Sequence, residues 1–328
     1  IKIQLRKTLK PGESVFLKLE YQVIIPDNDF TKYGISQNKE INIREWYLTV
    51  SKHIEGDWLV ESNLDLNDLS VDPSLFKFKI TYPLEYVLVT DLTALKKHKS
   101  DVFNVFISRK EIRMNTSILI QKDSNFKEYK VGNNILITDL DNYIFKKDSI
   151  INKVFNYVDN KIGDRLKLNK LKGIDLKVDS IINKTFNYVE SKLGEYPFEK
   201  IILSKHNQSR KPIYGLNNIP KIINPFDESF LFEFNFLKLI INTYLNESIS
   251  IHNRKNYWEK EGIVTYLLID YIENNYPDLK LIGKYSELFF LKKRIFSSYN
   301  FNEQYRLFEN IISSRNINQP IMTSLDSL

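Results

Sequence analysis

The chain has 328 residues, of which 42% are hydrophobic and none is cysteine, so it predicts a packed globular protein without disulfides or thiolate metal ligands. Its length favours two domains. The net charge of +6 is spread along the chain and does not favour nucleic acid as a partner.

No apolar run reaches the roughly 20 residues that a membrane-spanning helix needs. The chain begins at Ile1 without a methionine, in a strand-like run, and it shows no signal peptide. We therefore expect a piece of a longer protein whose targeting segment lies outside this sequence.

Residues 1–145 are predicted to form a β domain with a sandwich-like or saddle-like sheet. Short runs of β-branched and aromatic residues alternate with turn-forming residues, and helical periodicity is absent before about residue 145. The runs predicted as strands are 15–25, 44–50, 76–82, 86–92, 101–107, 116–121 and 133–140.

Residues 146–328 are predicted to form a mainly helical domain. The run DSIINKVFNYVDNKIG (148–163) has the spacing of an amphipathic helix, and nearly the same text recurs 31 residues later as DSIINKTFNYVESKLG (179–194). Two copies are too few for a solenoid, so a duplicated packing helix is expected. The other predicted elements are a strand at 196–204 and helices at 229–246, 261–275, 283–296 and 302–315.

Several short motifs follow one another along the chain. They are LKPGESVFLKLEYQVIIP, REWYLTV with GDWLVESNLDL, FKFKITYPLEYVLVTDL, KLGEYPFEKIILS, PIYGLNNIP and YWEKEGIVTYLLIDYI. Together they resemble the aminopeptidase N-type gluzincins, the family that includes leukotriene hydrolase. The resemblance covers most of the chain and implies an α+β fold, with a β domain truncated at its start and a thermolysin-like domain truncated at its end. Active members of the family use zinc.

The family's metal site is degenerate in this sequence. In active members a His-Glu-x-x-His helix and a glutamate from the next helix hold zinc, and the first Glu is the general base. Glu261 matches the glutamate ligand, and residues 243–260 separate it from Asn242 as the family's spacing requires. The positions of the two histidines thus carry Lys238 and Asn242, and that of the general base carries Leu239.

Other parts of the family's active site are also missing. Asn218 stands where the family has the glutamate that recognises the substrate amine, and the transition-state tyrosine has no clear equivalent. The resemblance therefore implies no catalytic residue, no bound metal and no cofactor. None of the histidines stands four residues from another; they are His53, His98, His206 and His252.

Two interpretations of the vacated site remain open. The Lys238 ammonium could pair with Glu261, with Asn242 donating a hydrogen bond to the same carboxylate. Alternatively, Lys238 extends to solvent and Glu261 caps the N-terminus of its helix. A residual cleft is expected near Gly215, Asn217, Tyr257 and Trp258.

The function predicted from these observations is that of a catalytically inactive aminopeptidase-like module. It would bind a peptide or protein in an inter-domain cleft, or contact other envelope proteins, as part of a larger exported protein of the periplasm, outer membrane or cell surface. Two alternatives are an active zinc aminopeptidase and a β-sandwich adhesin with an unrelated helical domain.

Overall fold

The protein was analysed as a computed structural model, which describes residues 2–29, 31–54, 56–59, 70–140, 178–210, 213, 216, 219–220, 223–252, 255–288, 291–292, 294–316 and 320. Within these residues the fold is α+β, with sheets before residue 140 and mainly helices after residue 178, as the sequence predicts. The predicted domain boundary near 145, the first copy of the duplicated helix and the cleft positions Gly215 and Asn217 lie outside the described residues. Asn218 also lies outside them.

Small antiparallel sheets make up the N-terminal part. The strands are β1 (Gly34–Ile35), β2 (Ile41–Arg44), β3 (His53–Ile54), β4 (Asp57–Trp58), β5 (Ser74–Phe76), β6 (Lys79–Pro83), β7 (Val87–Thr90), β8 (Ala94–Lys99), β9 (Phe103–Ser108), β10 (Glu111–Arg113), β11 (Ser117–Gln121), β12 (Lys127–Val131) and β13 (Asn134–Thr138). One sheet has the order β1-β2-β11-β7, a second has the order β6-β9-β8, and β3-β4 and β5-β10 are two-stranded. Strands β7, β9, β11 and β13 confirm four of the predicted runs.

The other predicted strands differ from the structure for local reasons. The run 76–82 is split between β5 and β6, because Phe78 N donates to the Ser108 side chain at 2.9 Å. The run 44–50 forms no strand beyond Arg44, since Glu45 has a φ of +54° and turns the chain out of the sheet. The run 15–25 does not join any sheet formed by the described residues.

Gly34 lets two segments of backbone lie against each other. Its φ is +121°, and a Cβ at this position would lie 2.0 Å from the carbonyl oxygen of Pro26. Ile35 N donates to that same oxygen at 2.8 Å, and Asn28 N donates to Ile35 O at 3.0 Å. Glycine is therefore required here, and it fixes Pro26 against strand β1.

The helical part shares a sheet with the end of the β part. Strand β14 (Lys200–Leu203) pairs in parallel with β13, giving the order β12-β13-β14. The helices are α1 (Val178–Leu193), α2 (Lys205–Arg210), α3 (Glu228–Ser248), α4 (Tyr257–Asn275), a 3₁₀ helix (Gly283–Glu287), α5 (Ile295–Ser298) and α6 (Glu303–Ser314). Apolar side chains of β12, β13 and β14 form one core with those of α1, α3 and α4.

Helix α1 confirms the second copy of the repeated sequence as a packing helix. Its apolar face is buried against α3, with Phe186 fully enclosed, and Gly194 follows its last turn with a φ of +88°. Lys184 Nζ lies 2.8 Å from Oε1 of Glu233 on α3, and the Tyr188 hydroxyl donates to Asp270 on α4 at 2.7 Å. These contacts join the three helices.

The later helices agree with the sequence only in part. Helices α3 and α6 confirm the predicted helices at 229–246 and 302–315. The predicted helix at 283–296 is wrong: the backbone leaves the 3₁₀ helix at Leu288 with a ψ of 130°, and the next helix in the described part of the chain is α5. Helix α4 confirms the predicted helix at 261–275 but begins four residues earlier, and its Gly262 and Tyr266 face solvent. Among the described residues, no helix is long and apolar enough to cross a bilayer.

Candidate functional site

Helix α3 carries Lys238, Leu239 and Asn242, which the sequence assigns to the degenerate metal site. It begins after Asp227, has an acid in its first turn and contains neither glycine nor proline, so nothing in its sequence interrupts it. Leu239 and Asn242 are buried and Lys238 is half-buried. Nδ2 of Asn242 donates to the Lys238 carbonyl oxygen at 2.9 Å, a contact within the helix. The amide is therefore partly used in bonding its own backbone.

Glu261 lies on α4, which packs against α3 in the common core. The helix begins at Tyr257, with Asn256 as its N-cap residue, and Nδ2 of Asn256 donates to Glu259 at 2.6 Å. Glu261 thus lies beyond the first turn, where a carboxylate no longer caps the helix. The interpretation of Glu261 as a cap is wrong, because the helix begins one turn before the predicted start. Its pairing with Lys238 or Asn242 stays a prediction.

The histidines are distributed over separate elements of the structure. His53 packs edge-on against Trp58, with 5.0 Å between ring centroids, and His98 is exposed on β8. His206 Nε2 lies 3.9 Å from a Glu40 oxygen. In the described ranges, no group of three or more His, Asp or Glu side chains is arranged to hold a metal ion.

A buried ionic cluster, here called the Asp91 cluster, was not predicted from the sequence. Nη1 of Arg113 lies 3.3 Å from Oδ2 of Asp91, and Nε of Arg113 lies 2.6 Å from Oε2 of Glu111. The Arg113 guanidinium also stacks 3.9 Å above the ring of Phe198. Glu247, near the end of α3, extends the cluster from the helical part. Because these residues are far apart in the sequence, no local pattern identifies them.

Glu247 is a buried carboxyl group of this cluster with a raised pKa. Its Oε2 is shut off from solvent and accepts no hydrogen bond from any residue that the structure describes. Burial, and next the charge of Asp91, raise the pKa of Glu247 from 4.5 to about 8, although Arg44 and Arg113 act in the opposite direction. A carboxyl group in this setting holds its proton at neutral pH.

Two cavities are found among the described residues. One, of about 40 Å³, lies between the β part and helices α3 and α4 and is bounded by Arg44, Glu45, Asn115, Asn246 and Lys260. Nζ of Lys260 donates to Oδ1 of Asn246 across it. This volume suits a water molecule and is too small for a peptide side chain.

The second cavity, of about 470 Å³, lies between α4 and α6. Neither cavity is lined by Tyr257 or Trp258, which are on the first turn of α4. The expected cleft at these residues stays a prediction.

Comparison with known proteins gives a structural likeness but no match in sequence. No family model matches the chain, and no curated protein matches it. The M1 zinc metallopeptidase from Deinococcus radiodurans matches with a TM-score of 0.42 and 10% identity, over 80% of this chain and 49% of that one. A mutant of it bound to a Tyr-Ser-Ala substrate matches with a TM-score of 0.35 and 11% identity, over 87% and 59%. A two-domain M1 zinc metallopeptidase mutant bound to L-arginine matches with a TM-score of 0.37 and 11% identity, over 76% and 55%. The chain spans about half the length of these proteins.

Proposed function

We propose that this chain is a catalytically inactive aminopeptidase-like module that serves as a binding or structural domain of a larger, exported envelope protein. The proposal rests on one observation: the face of α3 that corresponds to the zinc-binding helix presents an ammonium, an isobutyl group and an amide. These belong to Lys238, Leu239 and Asn242, and the last two are buried. A peptide or protein segment is the proposed ligand, and its cleft is proposed at Tyr257 and Trp258.

The chemistry of these groups supports the proposal. Zinc sites in proteins use imidazole, thiolate and carboxylate ligands, and a metallopeptidase needs a base to activate the metal-bound water. A protonated lysine has no lone pair for a metal, a carboxamide is a poor zinc ligand, and leucine cannot accept a proton. Glu261 alone leaves too few ligands for a catalytic ion.

Metal content and peptide hydrolysis, measured together on the purified chain, test this proposal. After dialysis against a chelator and then against micromolar zinc, we expect no stoichiometric zinc and no release of fluorophore from a panel of aminoacyl-coumarin substrates. E261Q is the matched control, because adventitious zinc or a contaminating peptidase would be unaffected by it. Equimolar zinc or hydrolysis that E261Q abolishes would overturn the proposal.

A further inference from the structure

Residues 14–25 have the sequence of a strand but lie on the surface. No hydrogen bond joins their backbone to another residue within the described ranges. Exposure alternates along the segment, from 49% at Val15 to 90% at Phe16 and back to 48% at Leu17. A period of two is that of an extended strand, in which successive side chains face opposite sides.

The two faces of this segment differ in character. Lys18 and Glu20 are on the more exposed face, with Nζ of Lys18 2.8 Å from Oε1 of Glu20. The other face is entirely apolar and consists of Val15, Leu17, Leu19, Tyr21 and Val23, each about half-exposed. An exposed strand of this kind, with unpaired backbone groups, is a template for pairing with another strand.

One end of the segment is held in place. Pro26 follows it directly, and its carbonyl oxygen accepts the Ile35 N–H at 2.8 Å at the Gly34 contact described above. The C-terminal end of the strand-like segment is therefore attached to strand β1.

The sequence of the segment is complementary to itself. If two copies run antiparallel with Leu19 opposite Leu19, Lys18 of each lies opposite Glu20 of the other. The same register places Val15 opposite Val23, and Leu17 opposite Tyr21. The half-exposed row of apolar residues then shares one face of the pair, and the other face carries two opposite-charge pairs together with Phe16, which lies opposite Gln22.

Other registers lose this match. A shift by two residues in either direction brings Lys18 opposite Lys18, or Glu20 opposite Glu20, and like charges directly opposite destabilise a pair of strands. A shift by one residue puts the apolar rows on opposite faces of the ribbon. Of these registers, only the one centred on Leu19 keeps the apolar rows on one face and pairs opposite charges.

We infer that residues 15–23 of two chains pair as antiparallel strands about a two-fold axis at Leu19, so that this segment is a homodimer interface. A two-fold axis produces such a self-complementary contact: each pair of different residues occurs twice, and Leu19 on the axis pairs with its own copy. Because two strands alone are only marginally stable, the dimer should be weak and depend on concentration.

The absence of native cysteine allows a direct test by disulfide formation. Cysteines at position 19 of two chains would lie directly opposite, within reach of a disulfide after small adjustments, whereas cysteines at position 16 would be six residues out of register. Under mild oxidation, L19C should form linked dimers about tenfold faster than F16C. Random collisions alone would link F16C faster than L19C, because Phe16 is more exposed than Leu19. Equal rates, or faster linking of F16C, would overturn the inference.

Charge reversal tests the register independently by sedimentation equilibrium. E20K turns both opposite-charge pairs into like-charge pairs and should weaken dimerisation about fivefold or more. The double variant K18E/E20K restores both pairs and should restore the wild-type dissociation constant. The inference would be wrong if E20K left the dimer dissociation constant unchanged, or if the chain stayed monomeric at every concentration. Slow amide exchange of residues 15–23 in such a monomer would point to pairing within one chain.

Discussion

Arg113 and Asp91 form an ion pair in which both side chains are buried, with Nη1 3.3 Å from Oδ2. The Asp91 carboxylate also accepts the Thr116 hydroxyl at 2.7 Å and the Ser117 N–H at 3.1 Å. Burial raises the pKa of Asp91, while Arg113 and these hydrogen bonds act to lower it. Each partner thus compensates a charge that would otherwise be buried alone.

Removing Arg113 should therefore be costly. R113A leaves the Asp91 carboxyl buried without its cation, and we expect the free energy of unfolding to fall by about 3–5 kcal/mol. R306A is the control, because Arg306 forms an exposed pair with Glu303 at 3.1 Å, and it should change stability by less than about 0.5 kcal/mol. Urea unfolding followed by circular dichroism measures both. Equal effects of the two variants would contradict this account of the pair.

Glu247 should make stability depend on pH. Its raised pKa means that, between about pH 4.5 and pH 8, the native state holds a proton that the unfolded chain has lost. Stability should therefore fall as pH rises through this window, since the unfolded state then binds fewer protons than the native state. The charged groups that face Glu247 are Asp91, Arg44, Arg113 and Glu45.

The variant E247Q isolates the contribution of Glu247 ionisation to stability, because glutamine has nearly the shape of glutamate and carries no charge. Relative to wild type, E247Q should gain stability as pH rises, by roughly 2–5 kcal/mol at pH 9 and by little at pH 4.5. Chemical denaturation at both pH values measures the difference. E287Q, at an exposed position, should follow the wild-type pH profile. A constant offset between E247Q and wild type would show that Glu247 ionises normally in the folded protein.

The fold class and the long helices can be predicted from local patterns, because the residues of α3 and α6 themselves carry helical periodicity. The same patterns predict a strand within a sheet at 15–25. These residue types favour a strand, but no strand that the structure describes pairs with them. The start of α4 was missed by one turn, since its cap at Asn256 has no strong sequence signal. The Asp91 cluster could not be predicted, because tertiary packing brings Asp91 to Arg113 within the β part and adds Glu247 from α3.

Phe301 lies at the centre of an aromatic cluster in the helical core. Its ring meets those of Phe226, Phe230 and Phe234 edge-to-face, at centroid distances of 5.4, 5.5 and 5.4 Å. F301A should lower the free energy of unfolding by about 3–5 kcal/mol, because it removes a buried ring and leaves a cavity. F308A makes the same chemical change on the exposed side of α6 and should cost less than about 1 kcal/mol. Similar losses in both variants would mean that Phe301 is not part of the stabilising core.

The correspondence between α3 and a zinc-binding helix can be tested by rebuilding the site. Lys238 and Asn242 lie one turn apart on the same face of α3, the spacing at which two imidazoles can share a metal ion. K238H/N242H would supply both, with Glu261 as the third ligand, and should bind one zinc ion per chain. Cobalt substitution should then give the visible absorption of a tetrahedral centre.

The single variant K238H is the control for this reconstruction, because it keeps Asn242 and leaves one imidazole and one carboxylate. It should bind zinc at least about tenfold more weakly than the double variant, since each lost ligand removes a metal–nitrogen bond. Circular dichroism must show that both variants keep the helical content of wild type. If the folded double variant binds no more zinc than K238H, Glu261 does not face the two α3 positions, and the assignment of this helix to a former metal site fails.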